Sequence, residues 1–299
     1  MKLLLLGPNG QVGWELRRAL APLGLVLPAD RTTDPFLAGD LCQPEALRET
    51  IQRERPDVIV NAAAYTAVDM AEQDTARARL INATAPGVLA DTAVTTGAWL
   101  VHYSTDYVFD GSGDDAWSED DPTGPLNAYG RTKLEGEELI RRSGCRHLIF
   151  RTSWVYASRG KNFLRTMLRL AAEREHLSVV DDQYGAPTGA ELIADASAHA
   201  LCTTVRNPLL GGTYHLAAGG TTSWHLYARH AIAAAREARH AVRVADEAIA
   251  PCHTADFPTP ARRPHNSRLA TRKLRDAFGI NLPPWQDGVT RAVQELCGK

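Results

Sequence analysis

The chain has 299 residues, of which 44% are hydrophobic and 23% are charged, and its formal net charge is −2. This composition is typical of a globular protein with one or two domains. The near-neutral charge favours neither a nucleic acid nor a membrane surface as a partner. The five cysteines are scattered and form no CxxC pair, which favours reduced thiols over a disulfide framework or a zinc site. No stretch approaches the ~20 apolar residues of a membrane span, so we expect a cytoplasmic protein.

The first predicted strand and helix are joined by a turn that is rich in glycine. An apolar run at residues 3–6 is typical of a strand buried on both faces of a parallel sheet. Gly7, Gly10 and Gly13 follow in a GxxGxxG pattern, and residues 14–20 have a helical pattern. Glycines let the backbone approach a pyrophosphate, whose charge is favoured at a helix N-terminus. This order of strand, turn and helix predicts dinucleotide binding rather than an ordinary strand–helix turn.

The second predicted strand, residues 25–27, ends near Asp30. An acidic side chain at this place would accept hydrogen bonds from the adenosine ribose, an arrangement that favours NAD. Arg31 follows directly, and Arg17 and Arg18 lie on the first predicted helix. Any of these arginines would instead suit the 2′-phosphate of NADP, so the pattern leaves the choice between NADH and NADPH open.

Strands and helices continue to alternate along the chain. Residues 56–64 are expected to form a strand and its exit turn, residues 71–93 a helix, and residues 99–103 another strand. Such alternation predicts an α/β fold with a doubly wound parallel sheet, which binds ligands at the carboxyl ends of its strands. Asp40, which precedes a predicted helix at residues 44–53, would either reach the adenine or cap that helix.

Tyr129 and Lys133 lie four residues apart on one face of a predicted helix. A nearby ammonium favours the phenolate, so we expect Lys133 to lower the pKa of Tyr129 from about 10. A phenol tuned in this way can exchange a proton with a carbonyl or alcohol oxygen. The spacing alone is common on solvated helices, but Thr105 follows the preceding strand and would lie at the same edge of the sheet. We therefore predict a catalytic site formed by Tyr129, Lys133 and Thr105.

The regular alternation ends near residue 178, after which short apolar runs, prolines and polar loops follow one another. We expect residues 1–175 to form mainly a Rossmann-type domain that binds NAD(P). Residues 176–299 would form mainly a smaller C-terminal α/β lobe that binds the substrate, with the chain crossing between the two.

Five further stretches carry a resemblance to known proteins, namely residues 61–69, 102–109, 150–156, 182–188 and 260–264. With the glycine turn and the Tyr129/Lys133 pair, they resemble the extended short-chain dehydrogenase/reductase superfamily and, within it, the dTDP-4-dehydrorhamnose reductase family. The resemblance extends from Gly7 to about Gly288. It implies NADPH or NADH as the cofactor and a dTDP-sugar as the substrate. It also implies a place in dTDP-rhamnose biosynthesis, which supplies lipopolysaccharide or another surface polysaccharide.

The resemblance further implies roles for individual residues. Those expected around the cofactor are Gly7, Gly10, Gln11, Val12, Gly13, Asp30, Asp40, Leu41, Ala63, Ala64, Thr66, Tyr129 and Lys133. Tyr129 would donate the proton, Lys133 would hold the nicotinamide ribose, and Thr105 would assist at the substrate oxygen. Those expected to contact the substrate are Thr105, Asp106, Tyr129 and Trp154.

A homodimer is also implied, because members of this family dimerise through a magnesium ion held by glutamates. Glu15, Glu191 and Glu295 match those positions, and carboxylate oxygens suit Mg²⁺ as ligands. The alternative is that each glutamate is an ordinary solvated residue of a helix.

The implied reaction is reduction of the 4-keto group of dTDP-4-dehydro-β-L-rhamnose to dTDP-L-rhamnose. Hydride would come from the nicotinamide and the proton from Tyr129, while Thr105 would hydrogen-bond the same oxygen. Related dehydratases carry an Asp-Glu pair after the threonine, whereas this chain has Tyr107 as its second residue there, which argues against a dehydratase. The alternatives are another epimerase or reductase of nucleotide sugars and a non-catalytic regulatory subunit. A regulatory subunit would be expected to have lost catalytic residues.

Overall fold

A parallel sheet lies at the centre of the structure, a computed structural model that describes residues 1–31 and 37–298. The strands of the described part are, in chain order, β1 (Lys2–Leu6), β2 (Leu25–Ala29), β3 (Val58–Asn61), β4 (Trp99–Thr105), β5 (His147–Thr152), β6 (Val155–Tyr156), β7 (Leu177–Val180), β8 (Tyr184–Gly185), β9 (Thr188–Gly189), β10 (Gly212–His215), β11 (Thr222–Ser223) and β12 (Ile249–Cys252). Six of them form the central sheet in the order β10-β5-β4-β3-β1-β2. All neighbouring pairs in this sheet are parallel, as the alternation of strands and helices predicts.

Helices cover both faces of the sheet. The helices of the described part are, in chain order, α1 (Gln11–Leu20), α2 (Pro44–Glu54), α3 (Val68–Gln73), α4 (Thr75–Arg79), α5 (Ala85–Thr96), α6 (Ala128–Ser143), α7 (Phe163–Glu173), α8 (Ala190–Arg206), α9 (Trp224–Glu237), α10 (Arg272–Phe278) and α11 (Trp285–Leu296). α1 and α8 pack on one face, whereas α2, α5 and α6 pack on the other. Within the described ranges, no helix combines the length and apolar character that crossing a membrane requires.

β1 shows how the sequence produces this layered core. Leu3 and Leu5 belong to the cluster on the α1 and α8 face, whereas Leu4 and Leu6 belong to the cluster on the α2 and α5 face. Successive side chains of a strand point to opposite faces, so a continuous apolar run is buried only where helices cover both sides. The predicted doubly wound arrangement is therefore confirmed.

Segments from the second half of the chain pack both on this sheet and away from it. β10 pairs with β5 and α8 packs against α1. By contrast, α7, α9 and α11 surround a separate apolar cluster that includes Tyr227 and Trp285. The division into two lobes near residue 175 stays a prediction.

The single helix expected at residues 71–93 is wrong. The chain forms α3 and α4, then a wider π-helical turn at Leu80–Thr84, and then α5. The side chain of Asp74 accepts a hydrogen bond from the backbone N–H of Arg77, which starts α4 afresh at that point. In the π turn, the amide of Asn82 bonds both backbone groups of Tyr65, a long-range contact that periodicity does not reveal.

Candidate active site

α6 begins in a way that fixes the position of Tyr129 and Lys133. The side chain of Asn127 accepts a hydrogen bond from the N–H of Gly130 at 2.8 Å, which caps the helix. A Cβ on Gly130 would overlap the carbonyl oxygen of Tyr107. The glycine between the two predicted catalytic residues therefore lets the first turn of α6 approach the chain that leaves β4.

Thr105, the last residue of β4, meets Tyr129 at this edge of the sheet. Its hydroxyl donates to Asp106 Oδ1 at 3.0 Å and accepts from the N–H of Tyr107 at 3.2 Å. The side chain of Thr105 also lies close enough to the phenol of Tyr129 to lower its pKa. The structure thus brings together Thr105 and Tyr129, as the sequence pattern predicts.

The expected lowering of the pKa of Tyr129 is wrong for this arrangement. Burial raises the pKa of Tyr129 to about 12, and the charge of Asp106 raises it as well, whereas Thr105 lowers it. The physical reason is the direction of Lys133, which lies one turn along α6 but points towards β4. Its Nζ donates to the carbonyl of Tyr103 at 2.6 Å.

Lys133 has a second buried partner, His102, which the sequence patterns do not single out. Lys133 Nζ lies 3.1 Å from His102 Nε2, and His102 Nδ1 lies 3.1 Å from Asn61 Nδ2. Burial lowers the pKa of Lys133 to about 8, although the charge of Glu137 opposes this. The signal that would have revealed His102 is strand register, because Asn61 and His102 are neighbours across β3 and β4.

Asp106 is buried beside this site with one oxygen unsatisfied. Its Oδ2 has no hydrogen-bond partner among the described residues. Burial raises the pKa of Asp106 to about 6, although the hydroxyls of Ser267 and Thr105 lower it. A buried acceptor without a partner is suited to a ligand hydroxyl.

Trp154, the other residue expected to contact substrate, follows β5 in a strained conformation. Its φ is 49°, which is unusual for a large side chain. Its ring stacks on Trp224, with centroids 3.7 Å apart, and Gly185 leaves room for it, since a Cβ there would lie 2.8 Å from the ring. Trp224 also donates its indole N–H to Gln183. Trp224 and Gln183 are partners that sequence reasoning missed.

The glycine turn has the shape of a cradle for a pyrophosphate. Gly7 has a φ of 76°, and a Cβ there would lie 2.9 Å from Ala63. A Cβ on Gly13 would overlap the carbonyl oxygen of Gly7. α1 starts after Gly10 with no side-chain cap and no acidic residue in its first turn, so its N–H groups suit an anion. These residues fit the dinucleotide that the motif predicts.

The remaining predicted cofactor residues lie at the exits of β1, β2 and β3. Gln11 accepts a hydrogen bond from Asn162, which also caps α7, and Val12 packs against the apolar core. Asp30 accepts from Asn9 at 2.5 Å. Ala63, Ala64 and Thr66 lie in the loop that leaves β3.

Asp40 and the buried Leu41 lie in the turn before α2. Asp40 Oδ1 accepts from the N–H of Cys42 at 2.9 Å. The N-cap of α2 is Gln43, so the alternative in which Asp40 caps this helix is wrong.

The three glutamates expected to bind magnesium lie within electrostatic reach of one another. Burial raises the pKa of Glu191, and the charges of Glu15 and Glu295 raise it further, whereas the charge of Arg291 lowers it. However, Arg291 pairs with Glu295 at 3.2 Å, and an arginine on α1 pairs with Glu15. The described residues contain no group of three or more His, Cys, Asp or Glu side chains placed to hold a metal ion. A magnesium site formed within one chain is therefore not supported.

Comparisons with known proteins agree with this architecture. A family model described as the RmlD substrate binding domain matches residues 1–297. The dTDP-4-dehydrorhamnose reductase of Shigella flexneri is 54% identical over 296 residues, which cover 99% of this chain and 98% of the relative. The crystal structure of a dTDP-4-dehydrorhamnose reductase from Clostridium acetobutylicum matches with a TM-score of 0.87 and 34% identity, over 99% of both chains. That of the enzyme from Bacillus anthracis in complex with NADP matches with a TM-score of 0.86 and 33% identity, over 98% of this chain and 99% of that one.

These matches cover the whole stretch in which the sequence motifs lie. They confirm the Rossmann-type fold and the class of NAD(P)-dependent oxidoreductases that the resemblance implies. The chain belongs to the dTDP-4-dehydrorhamnose reductase family.

Proposed function

We propose that this chain reduces the 4-keto group of dTDP-4-dehydro-β-L-rhamnose to give dTDP-L-rhamnose, the last step of dTDP-rhamnose biosynthesis. A bound nicotinamide, as NADPH or NADH, supplies the hydride. The observation that carries the proposal is that the Thr105 side chain, at the carboxyl end of β4, lies close enough to the Tyr129 phenol to lower its pKa against the effect of burial. It occurs in a chain that is 54% identical to a dTDP-4-dehydrorhamnose reductase.

Tyr129 serves as the proton donor in this proposal. Its phenol keeps its proton at neutral pH, because burial raises its pKa to about 12. An alkoxide is a stronger base than a phenolate, so the proton moves from Tyr129 Oη to the substrate oxygen as that oxygen becomes negative. Lys133, one turn along α6, is the residue that would hold the nicotinamide ribose. Thr105 Oγ1, which Asp106 and Tyr107 hold in place, offers a second hydrogen bond to the substrate oxygen.

Asp106 and Trp154 are the proposed contacts for the sugar nucleotide. The free Oδ2 of Asp106 is suited to accept a hydrogen bond from a sugar hydroxyl. Trp154, held in a strained conformation by its stack with Trp224, offers an apolar face. Buried polar groups and aromatic faces of this kind typically orient a ligand.

Two observations favour the reductase over its alternatives. A dehydratase needs an acid and a base next to the threonine, but Tyr107 stands in the position of one of them. A non-catalytic subunit would have no need of the paired Tyr129 and Thr105 hydroxyls, which this chain retains at the end of β4.

The test is a pair of assays with dTDP-4-dehydro-6-deoxy-L-sugar and either NADPH or NADH, in which the absorbance of the reduced nicotinamide is followed. Folded protein that oxidises neither cofactor would rule out the reductase. Tyr129→Phe should lower turnover by more than about 100-fold while leaving cofactor binding largely intact. If that variant retains turnover, Tyr129 is not the acid.

A cytoplasmic homodimer is the assembly that the composition and the family resemblance support. Light scattering after size-exclusion chromatography, with and without a chelator, tests it. A monomer under both conditions would remove the homodimer. A dimer that dissociates in chelator would support a metal shared between chains, and alanine variants of Glu15, Glu191 and Glu295 would then show whether these carboxylates bind it.

A further inference from the structure

A loop that connects β6 to α7 lies against the first turn of α1. It comprises residues 157–162, and we call it the bridge loop. The guanidinium carbon of Arg159 lies 3.6 Å from the centroid of the Trp14 ring. Gly160 has a φ of 73°, and a Cβ there would lie 3.3 Å from Gln11 Cγ. The bridge loop therefore contacts the residues that directly follow the proposed pyrophosphate turn.

Asn162, the last residue of the bridge loop, makes the polar contacts between these two segments. Its Nδ2 donates to Gln11 Oε1 at 2.7 Å and to the carbonyl of Ala157 at 2.8 Å, with a longer bond of 3.3 Å to the carbonyl of Arg159. Its Oδ1 accepts from the backbone N–H of Arg165 at 3.0 Å, which caps α7. Each end of this amide is thus held by a backbone group, whose role as donor or acceptor is fixed.

These backbone contacts decide the orientation of the Gln11 amide. A backbone carbonyl only accepts, so the group of Asn162 that faces both Ala157 and Gln11 must be its NH₂. The oxygen of Gln11 must then face Asn162, because two NH₂ groups would place donor against donor. The Nε2 group of Gln11 makes no hydrogen bond to any other described residue. It is therefore free to donate to a ligand.

Gln11 is the first residue of α1, whose N-terminal N–H groups suit an anion. An amide NH₂ beside these groups adds a further donor, whereas an amide oxygen in its place would repel the anion. We propose that Asn162 is a positioning residue for the dinucleotide, because it holds the Gln11 amide with its NH₂ group free to donate to the pyrophosphate. Asn162 acts through Gln11 and does not itself touch the cofactor. The proposal rests on the dinucleotide that the proposed function requires, but not on the sugar substrate.

The bridge loop also connects the glycine turn to the aromatic residues of the substrate side. Phe163, the residue after Asn162, packs against Trp224 with the ring centroids 4.5 Å apart. Trp224 in turn stacks on Trp154, the proposed contact for the sugar nucleotide. The segment that orients Gln11 therefore also begins the helix that packs behind Trp154. In this proposal, the pyrophosphate site is complete only when the bridge loop lies against α1.

Asn162→Ser separates the two roles of this side chain. A serine hydroxyl still caps α7 but is too short to reach Gln11, so the Gln11 amide loses its fixed orientation. The dissociation constants of NADPH, NADH and ADP-ribose for the folded, full-length chain should each rise about 10-fold in calorimetric titration, as expected for a weakened bond to a charged group.

ADP-ribose is the decisive ligand, because it keeps the pyrophosphate and lacks the nicotinamide. If Asn162→Ser leaves the dissociation constant of ADP-ribose unchanged, the proposal is overturned. The control Asn207→Ser makes the same substitution at an exposed position after α8 and should leave all three dissociation constants in place.

A double-mutant cycle shows whether Asn162 acts through Gln11. Gln11→Ala removes the amide that Asn162 orients, so adding Asn162→Ser to this variant should weaken binding by less than about twofold. A merely structural role of Asn162 would weaken binding by the same factor with and without the Gln11 amide, and that result would overturn the proposal.

The wild-type chain offers a measurement that does not depend on the folding of a variant at position 162. Side-chain amides are observed by ¹⁵N NMR, and Gln11→Ala assigns the signal of the Gln11 NH₂ group by its disappearance. This signal should shift when ADP-ribose is added, because the NH₂ group gains a charged acceptor. A signal that stays in place at saturating ADP-ribose would overturn the proposal.

None of these measurements needs a sugar nucleotide, so they separate the role of Asn162 from the proposed function. A chain that binds NADPH with the expected dependence on Asn162, but does not oxidise it with the dTDP-sugar, would contradict the reductase and leave this inference standing. A chain that oxidises NADPH with the dTDP-sugar, but binds ADP-ribose independently of Asn162, would do the opposite. A folded wild-type chain that binds no dinucleotide would overturn both.

Discussion

Tyr107 lies edge-on against Tyr129, with the ring centroids 5.6 Å apart and the ring planes at 78°. The quadrupoles of two aromatic rings favour this geometry. The backbone N–H of Tyr107 also donates to Thr105 Oγ1 at 3.2 Å. One residue therefore holds both the proposed proton donor and the hydroxyl beside it, at a position where a dehydratase would need a carboxylate.

The ring of Tyr107 should matter more than its hydroxyl. Tyr107→Phe keeps the ring edge and the backbone N–H, so kcat is expected to stay within about threefold of the wild type. Tyr107→Ala removes a contact of about 1 kcal/mol, and kcat should fall by about fivefold. The paired-cofactor assay measures both. A loss in Tyr107→Phe as large as that in Tyr129→Phe would instead assign proton transfer to the hydroxyl of Tyr107.

Two alanine variants of the glycine turn should separate folding from cofactor binding. A Cβ on Gly13 would overlap the carbonyl of Gly7, whereas a Cβ on Gly10 would lie 3.4 Å from it. Gly13→Ala should therefore lower the thermal midpoint of the free chain and weaken cofactor binding by more than about 10-fold. Gly10→Ala should leave the thermal midpoint nearly unchanged and weaken only the binding, because the added methyl faces the proposed pyrophosphate. Thermal unfolding and calorimetric titration measure the two effects. Equal thermal midpoints for both variants would contradict this account.

The features that could be predicted from the sequence are those set by neighbours along the chain. The glycine turn, the buried run of β1 and the spacing of Tyr129 and Lys133 are all local. Their environment in the sheet follows from the alternation of strands and helices. For these features the periodicity of two for strands and 3.6 for helices carries the information.

The features that could not be predicted depend on contacts between distant segments. Asn61 and His102 meet only through the register of β3 and β4, so the direction of Lys133 was not foreseen. The expected effect of Lys133 on the pKa of Tyr129 failed for the same reason. The stack of Trp154 on Trp224 joins residues 70 positions apart, and no pattern in either segment indicates it.

The buried carboxylate of Asp106 should make stability depend on pH in a defined direction. Its pKa of about 6 in the folded chain lies above the value of about 3.9 expected in the unfolded chain. The folded state therefore binds this proton more tightly, and the stabilisation present at low pH is lost as pH rises from about 4 through about 6. Asp106→Asn should increase the free energy of unfolding by about 1–3 kcal/mol near pH 8, and by less as pH falls towards about 4. Urea unfolding at several pH values tests this, with the exposed Asp114→Asn as the control. If the extra stability of Asp106→Asn over the wild type grew as pH falls, this expectation would be contradicted.

The ion pair between Glu137 and Arg151 should be the most sensitive electrostatic contact near the site. The two side chains are 0% and 3% exposed and lie 2.7 Å apart, and a second bond of 3.0 Å makes the contact bidentate. Burial disfavours the ionised form of Glu137, but the bonds and charge of Arg151 hold its pKa below the ordinary value. Breaking such a pair leaves an uncompensated buried charge, which costs about 3–5 kcal/mol. Glu137→Gln should lower the free energy of unfolding by about that amount in urea denaturation.

Two further variants show whether this loss comes from the unpaired charge. The double variant Glu137→Leu/Arg151→Met removes both charges, so it should lose less stability than Glu137→Gln alone. Glu138→Gln breaks the exposed pair with Arg142 on the same helix and should change the free energy of unfolding by less than about 0.5 kcal/mol. If the double variant loses more than the single one, the packing of Arg151 over the ring of Phe109 is the larger contribution. Removing both charges would then not have restored the stability lost in Glu137→Gln. The pair would hold α6 against β5 mainly through the contact area of its side chains.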